Sequence, residues 1–282
     1  CSLVGSEMCI RDSYMFKTDD KVVQICLAIS YTILAMYAFI NFFNPAYIID
    51  QYPSLESNDT TIFFLIWYGM MNFGAVAGLI YMGYKGLDRA YFAYAIPLSL
   101  LFVWWGYSGQ ASLEADEQRW TATILFAVNF LALVIARVKG MGAFNIDKAD
   151  SAWGTDDKIV QVVLYLAIIG QVVFIIQYFV NPAGFIEQTP GLEMSDTAQR
   201  FADGLMYFAV AWTITLLYQF RCGYSMTMIV TGLVISVMFF AMMLNFQLSG
   251  SVEDGGNAQL TAVVIGNFVG SLILFFRLQS QH

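Results

Sequence analysis

Eight long apolar runs divide this chain, and no other feature restricts its fold as strongly: Val22–Phe43, Thr61–Tyr84, Ala90–Tyr107, Trp120–Ala136, Ile159–Val180, Phe201–Phe220, Thr227–Phe246 and Leu260–Phe276. A helix needs about 17–25 such residues to cross the hydrocarbon of a bilayer. Backbone groups in lipid must be satisfied within the segment, which favours helices. None of the runs alternates as an outer-membrane strand would, so a barrel is set aside. Only 12% of the 282 residues are charged and 59% are hydrophobic, against about 25% and 45–50% in a soluble domain. One soluble core of this size cannot hide so much apolar side chain. Nucleic-acid binding is excluded as well, because Lys+Arg is 13 against Asp+Glu 21 and no basic stripe exists. The expectation is an all-α integral membrane protein with eight transmembrane helices.

Residues 3–13, LVGSEMCIRDS, resemble the conceptual translation of a transposase-type sequencing adapter. Residues 1–13 are therefore set aside as a scar, and Met15 reads as the start. Cys1 and Cys9 go with it, leaving Cys26 in an apolar run and Cys222 near a helix end. Two such thiols make neither a disulfide framework nor a metal site. No signal peptide is visible, since the first apolar run is too long and lacks a cleavage motif.

Charge sorts by side. From Met15 onward ten Lys and Arg, from Lys17 to Arg277, fall on one side of the spans, while Arg119 and Arg200 fall on the other. The positive-inside rule then places both termini in the cytoplasm. Acids go the other way, so the outer segments sum to −10 and the inner ones to +3.

The chain also repeats itself. TDDKVVQ at 18–24 returns as TDDKIVQ at 155–161, an offset of 137, and NPAYIIDQYPSLE (44–56) returns as NPAGFIEQTPGLE (181–193). Asn129 and Asn267 pair at offset 138. Each copy holds an even number of spans, so the copies share one orientation and are related by an axis along the membrane normal. The expected organisation is a four-helix repeat at 14–137, a cytoplasmic linker at 138–154 and a second four-helix repeat at 155–282. These are two tandem parallel repeats about a pseudo-two-fold axis.

Three recurring features have structural readings beside functional ones. In Thr-Asp-Asp-Lys, Thr18 and Thr155 suit the N-cap, with the acids in the first turn where the helix dipole favours negative charge. In Asn-Pro-Ala, proline stops the helix at Asn44 and Asn181 and hands over to a short interfacial segment. The acids that follow, Asp50, Glu56, Glu187 and Glu193, are a solvated acidic loop or the rim of an outer vestibule that concentrates cations. Near the midplane, Asn72, Asn129, Gln171 and Asn267 want partners. They either join helices, including across the two repeats, or line a pocket for a neutral ligand. Gly74–Gly78 and Gly266–Gly270 are GxxxG pairs that let helix backbones approach closely.

No Lys, Arg, Asp, Glu or His occupies a span core. Asp203, two residues inside the outer end of its run, is the nearest. This disfavours proton coupling, pumping and voltage sensing. No catalytic constellation, metal motif or cofactor site is visible, so none is assigned. Three functions remain. The favoured one binds or permeates a small neutral or amphipathic molecule between the two repeats. A non-catalytic accessory or scaffold subunit, with a membrane-protein partner or a second copy, is the alternative. A lipid-modifying enzyme using Glu56 and Glu193 comes third.

Overall fold

The computed structural model describes residues 18–51, 56–111, 113–142, 157–187, 192–248 and 258–279. Residues 1–13, expected to be a scar, most of the expected linker at 138–154, Thr155, Glu253 and Asp254 lie outside the described residues. Ten helices account for nearly all the rest: α1 Lys21–Phe43, α2 Pro45–Gln51, α3 Asp59–Lys85, α4 Arg89–Ala111, α5 Thr121–Met141, α6 Lys158–Val180, α7 Pro182–Glu187, α8 Asp196–Cys222, α9 Met226–Leu248 and α10 Ala258–Gln279. Six of them, α1, α3, α4, α5, α6 and α8, are long and apolar enough to cross a membrane. The shorter described apolar stretches Met226–Met242 and Ile265–Arg277 belong to α9 and α10. The chain is thus a polytopic, all-α membrane protein.

Helix starts follow from the capping side chains. Asp20 accepts hydrogen bonds from the amides of Val22 (2.8 Å) and Val23 (3.3 Å). Asp157 does the same for Ile159 (2.9 Å) and Val160 (3.3 Å). The N-cap of α1 is therefore Asp20, not Thr18. A cap must stand in extended backbone one residue before the helix, with its oxygen reaching the second or third amide, and Asp20 does so at φ −79°, ψ 109°. Asn58 and Ser195 cap α3 and α8 through the amides of Thr61 (2.8 Å) and Ala198 (3.1 Å). The far ends match too. Asn44 and Asn181 close α1 and α6 before a proline, and Gly86 (φ 113°) and Gly223 (φ 101°) end α3 and α8 in left-handed backbone that favours glycine. The expected interfacial segments after Asn-Pro-Ala are the one- to two-turn helices α2 and α7.

α8 begins five residues before its apolar run, because Ser195 caps a polar first turn, Asp196–Arg200. Asp203 consequently lies about two turns inside the helix rather than at its end.

In the first half, α1 packs on α3 and α5, and α4 packs on α5. In the second half, α6 packs on α8 and α9 on α10, but α6 only grazes α10. The halves meet through α3 on α9, α4 on α8 and α3 on α8. Gly74 and Gly78 lie at the first of these seams. A Cβ on Gly74 would run into the Ile235 side chain and the Thr231 carbonyl, and one on Gly78 into Thr231 Oγ1 and the Tyr91 ring. The bare backbone of α3 is what lets α9 sit so close.

Candidate functional site

The midplane amides split into two groups. Asn129, 1% exposed on α5, accepts from Ser30 Oγ on α1 at 2.6 Å and donates through Nδ2 to Ser99 Oγ on α4 at 2.8 Å. Three helices of the first half are thereby tied at one buried point. Asn72 is also buried but spends its Nδ2 on the Tyr68 carbonyl one turn earlier, at 2.9 Å. Gln171 and Asn267 make no hydrogen bond to any described residue; Gln171 is half-buried and Asn267 exposed on α10. The expected bridge from Asn129 to Asn267 across the two halves does not form. Ser30, Asn129 and Ser99 satisfy one another within the first half, whereas the counterpart of Ser30 at offset 137 is Ala167.

The surface between the halves is filled. Tyr68 Oη donates to the Phe201 carbonyl at 2.8 Å and Trp105 Nε1 to the Arg200 carbonyl at 2.9 Å. The Arg200 guanidinium lies 5.5 Å from the Trp105 ring centroid, within cation–π range. Phe102 and Phe208 meet at 5.0 Å between centroids, and Trp67 and Phe239 at 4.8 Å. A ligand between the halves would need the space that these rings occupy.

Asp203 is held by Tyr178 Oη at 2.5 Å, within the second half. A carboxylate this far into a helix needs such a donor. The sequence flagged Asp203 but gave no sign of Tyr178, which sits on a different helix.

Of the candidate vestibule acids, Glu56 and Glu193 are brought to one place. The Glu56 amide donates to Thr197 Oγ1 (3.3 Å) and the Glu193 amide to Thr60 Oγ1 (2.9 Å). Both side chains face outward from this junction as exposed residues, and Asp50 and Glu187 sit exposed on α2 and α7. Among the described residues no group of three or more His, Cys, Asp or Glu is placed to hold a metal ion. At the opposite end of the bundle, Ser225 Oγ donates to Asp88 Oδ2 at 2.5 Å, while Asp88 also caps α4 through the amides of Ala90 and Tyr91.

Two hollows occur in the second half. An open groove of about 320 Å³ runs along Ile176, Gln177, Val180, Asn181 and Phe185; it is apolar, shallow and holds none of the candidate residues. A smaller cavity, about 30 Å³, lies among α6, α8, α9 and α10 and includes Gln219, Tyr224 and Ser271 in its wall. Beside it, Arg277 and Asp157 pair at 3.0 Å, joining α10 to the cap of α6. Burial pushes the Asp157 carboxyl up, but the bond from Arg277 and the amides of Val160 and Ile159 outweigh it and hold the group below the usual carboxylate range. Tyr224, in the turn between α8 and α9, is pushed up to about 12 by burial and by the negative charge of Asp157.

No family model, no curated protein and no solved structure matches this chain.

Proposed function

We propose that the chain is an eight-span protein of two tandem parallel four-helix repeats, 14–137 and 155–282, related by a pseudo-two-fold axis along the membrane normal. Both termini are cytoplasmic, as the Lys and Arg distribution favours. Its role is that of a non-catalytic accessory or scaffold subunit.

The repeat arrangement draws on a reciprocal pair of contacts. Glu56 and Thr60 become Glu193 and Thr197 at offset 137, and each copy's glutamate amide bonds the other copy's threonine. A contact in which i meets j and j meets i is the mark of a two-fold relation. Asp88 and Ser225, also 137 apart, bond each other directly and so stand beside the axis. The contacts between halves follow the same exchange, with α3 on α9 mirrored by α8 on α4.

The scaffold role is carried by the filled surface between the repeats. Rings occupy the space in which a neutral ligand or permeant was expected, and Tyr68 and Trp105 spend their donors on backbone carbonyls of the other half. Glu56 and Glu193, the residues a lipid-modifying enzyme would use, stand at a rim with no nucleophile–base pair between them. Gln171 and Asn267 remain as neutral polar groups on the side of the second repeat, suited to a neighbouring membrane helix.

Native mass spectrometry of the full chain extracted in a mild detergent tests this. A complex larger than one chain, shifted toward the single chain by Asn267→Leu, is the expected result. A single chain in mild detergent, together with no cross-linked product in native membranes, overturns it. Labelling of a cysteine at Lys148 from outside the cell overturns the orientation.

A further inference from the structure

The cavity among α6, α8, α9 and α10 has a largely apolar wall, the Trp212 ring included, interrupted by the amide of Gln219 and the hydroxyls of Tyr224 and Ser271. Gln219 is 3% exposed, and its Oε1 accepts from the Ser225 amide at 3.2 Å, while its Nε2 has no partner among the described residues. The Tyr224 hydroxyl is buried with no partner. Ser271 Oγ has only a long contact, 3.4 Å, to Ser236 Oγ. All three carry protons to donate, and none is charged.

The first half shows what the same place looks like when it is only core. The positions equivalent to Gln219, Tyr224 and Ser271 are Met82, Leu87 and Leu133, all apolar. Around them Tyr91 and Phe92 stand where the second half has Met228 and Ile229. Tyr91, Phe92, Met82 and Leu133 are at most 1% exposed, and the Tyr91 hydroxyl is spent on the Ala75 carbonyl at 2.8 Å. In the second half two rings have shrunk to aliphatic chains while Ala75 has become Trp212, and three apolar side chains have become donors around one hollow. Buried polar groups without partners are costly. The Tyr224 hydroxyl is such a group, and Gln219 Nε2 and the weakly engaged Ser271 hydroxyl line the same hollow; a guest that enters it and hydrogen-bonds to them accounts for all three.

The size and surroundings of the space narrow the guest. About 30 Å³ takes a head no larger than one or two water-sized groups. Uncharged donors suit a neutral oxygen. The seam between α6 and α10, where the helices scarcely touch, gives an apolar tail a way out toward lipid. We propose that the second half binds a neutral single-chain amphipath of the fatty-alcohol class, its oxygen accepting from Gln219 and Tyr224, its hydroxyl proton donated to Ser271 Oγ, and its chain leaving between α6 and α10. The site does not depend on the scaffold reading and stands or falls separately from it.

Photolabelling of the purified full chain with a diazirine-bearing hexadecanol is the test. Labels are expected on α6 and α10, displaced by unlabelled hexadecanol but not by hexadecane. Installing the first half's residues, Gln219→Met with Tyr224→Leu and Ser271→Leu, is expected to weaken displaceable labelling at least about tenfold, with the melting temperature kept or raised. Ser271→Leu alone, which blocks the cavity with one change, reads the same effect if the triple variant folds poorly. Equal competition by hexadecane, labels spread alike over the lipid-facing sides of α1 and α6, or undiminished labelling of the folded variants would each overturn the proposal. So would a density map showing only water in the cavity at saturating hexadecanol.

Discussion

Asn129→Leu separates the two halves sharply. The substitution removes two interhelical hydrogen bonds, from Ser30 at 2.6 Å and to Ser99 at 2.8 Å. It also leaves two buried hydroxyls, 0% and 4% exposed, Ser30 without its acceptor and Ser99 without its donor. Bonds of this kind between membrane helices average about 0.6 kcal/mol and reach about 1.7. The expected loss is therefore about 1–3 kcal/mol, or about 2–5 °C in melting temperature for a protein of this size. Asn267→Leu breaks no bond to any described residue and should leave the detergent-solubilised single chain unchanged. Because the two sites share no partners, the double variant should match Asn129→Leu alone. Thermal unfolding followed by circular dichroism or tryptophan fluorescence measures all three. A cycle pairing Ser30→Ala with Asn129→Leu should return a coupling of about 0.5–1.7 kcal/mol. Equal losses from Asn129→Leu and Asn267→Leu, or no coupling to Ser30, would refute the assignment of Asn129 as the tie of the first half.

Other consequences are open to similar measurements. Gly74→Leu or Gly78→Leu should destabilise by about 1–3 kcal/mol or more through overpacking against Ile235, Thr231 and Tyr91, whereas Gly266→Ala, with no atom within 4 Å of its added Cβ, should be neutral in thermal melts. Thr60→Val and Thr197→Val each remove one acceptor of the reciprocal pair, and each should cost about 0.5–1.5 kcal/mol in the same assay. The Asp157 carboxyl is held below its unfolded value, so its contribution is complete above about pH 4 and is lost as pH falls through the folded value. The gap in melting temperature between the native chain and Asp157→Asn should accordingly be present at pH 6 and close toward pH 3. Asp157→Asn should also loosen α6 from α10, read as faster hydrogen exchange at the start of α6.

Helices were legible in the sequence because lipid demands long apolar runs, and each run reappears as a helix. The misjudged ends have a common cause. Asp196–Arg200 opens α8 and Arg137–Met141 closes α5 with polar residues that an apolar scan discards, although the helix hydrogen bonds continue through them. Caps were half legible: the TDDK motif marked the place, but only backbone geometry distinguishes Asp20 from Thr18. Pairing was not legible. Ser30 lies 99 residues from Asn129, and Ser99 is an ordinary serine in an apolar run with no local signal. Gln219, Tyr224 and Ser271 are equally ordinary by themselves. They stand out only against Met82, Leu87 and Leu133, the apolar residues at the matching positions of the proposed first repeat.

The hydrogen bond between Ser225 and Asp88 limits what the molecule can be taken apart into. On the two-fold relation proposed above, a residue beside the axis meets its own counterpart. Two free copies of the first half, docked as the halves dock here, would therefore set Asp88 against Asp88 with oxygens at about the 2.5 Å now spanned. Two carboxylates at that separation cannot both stay ionised. Two copies of the second half would set serine against serine without penalty. In the proposed arrangement the covalent chain is thus more than a tether: with an acid in one repeat and a hydroxyl in the other, it brings the mixed pair together, and a stand-alone first half would not have itself as a suitable mate.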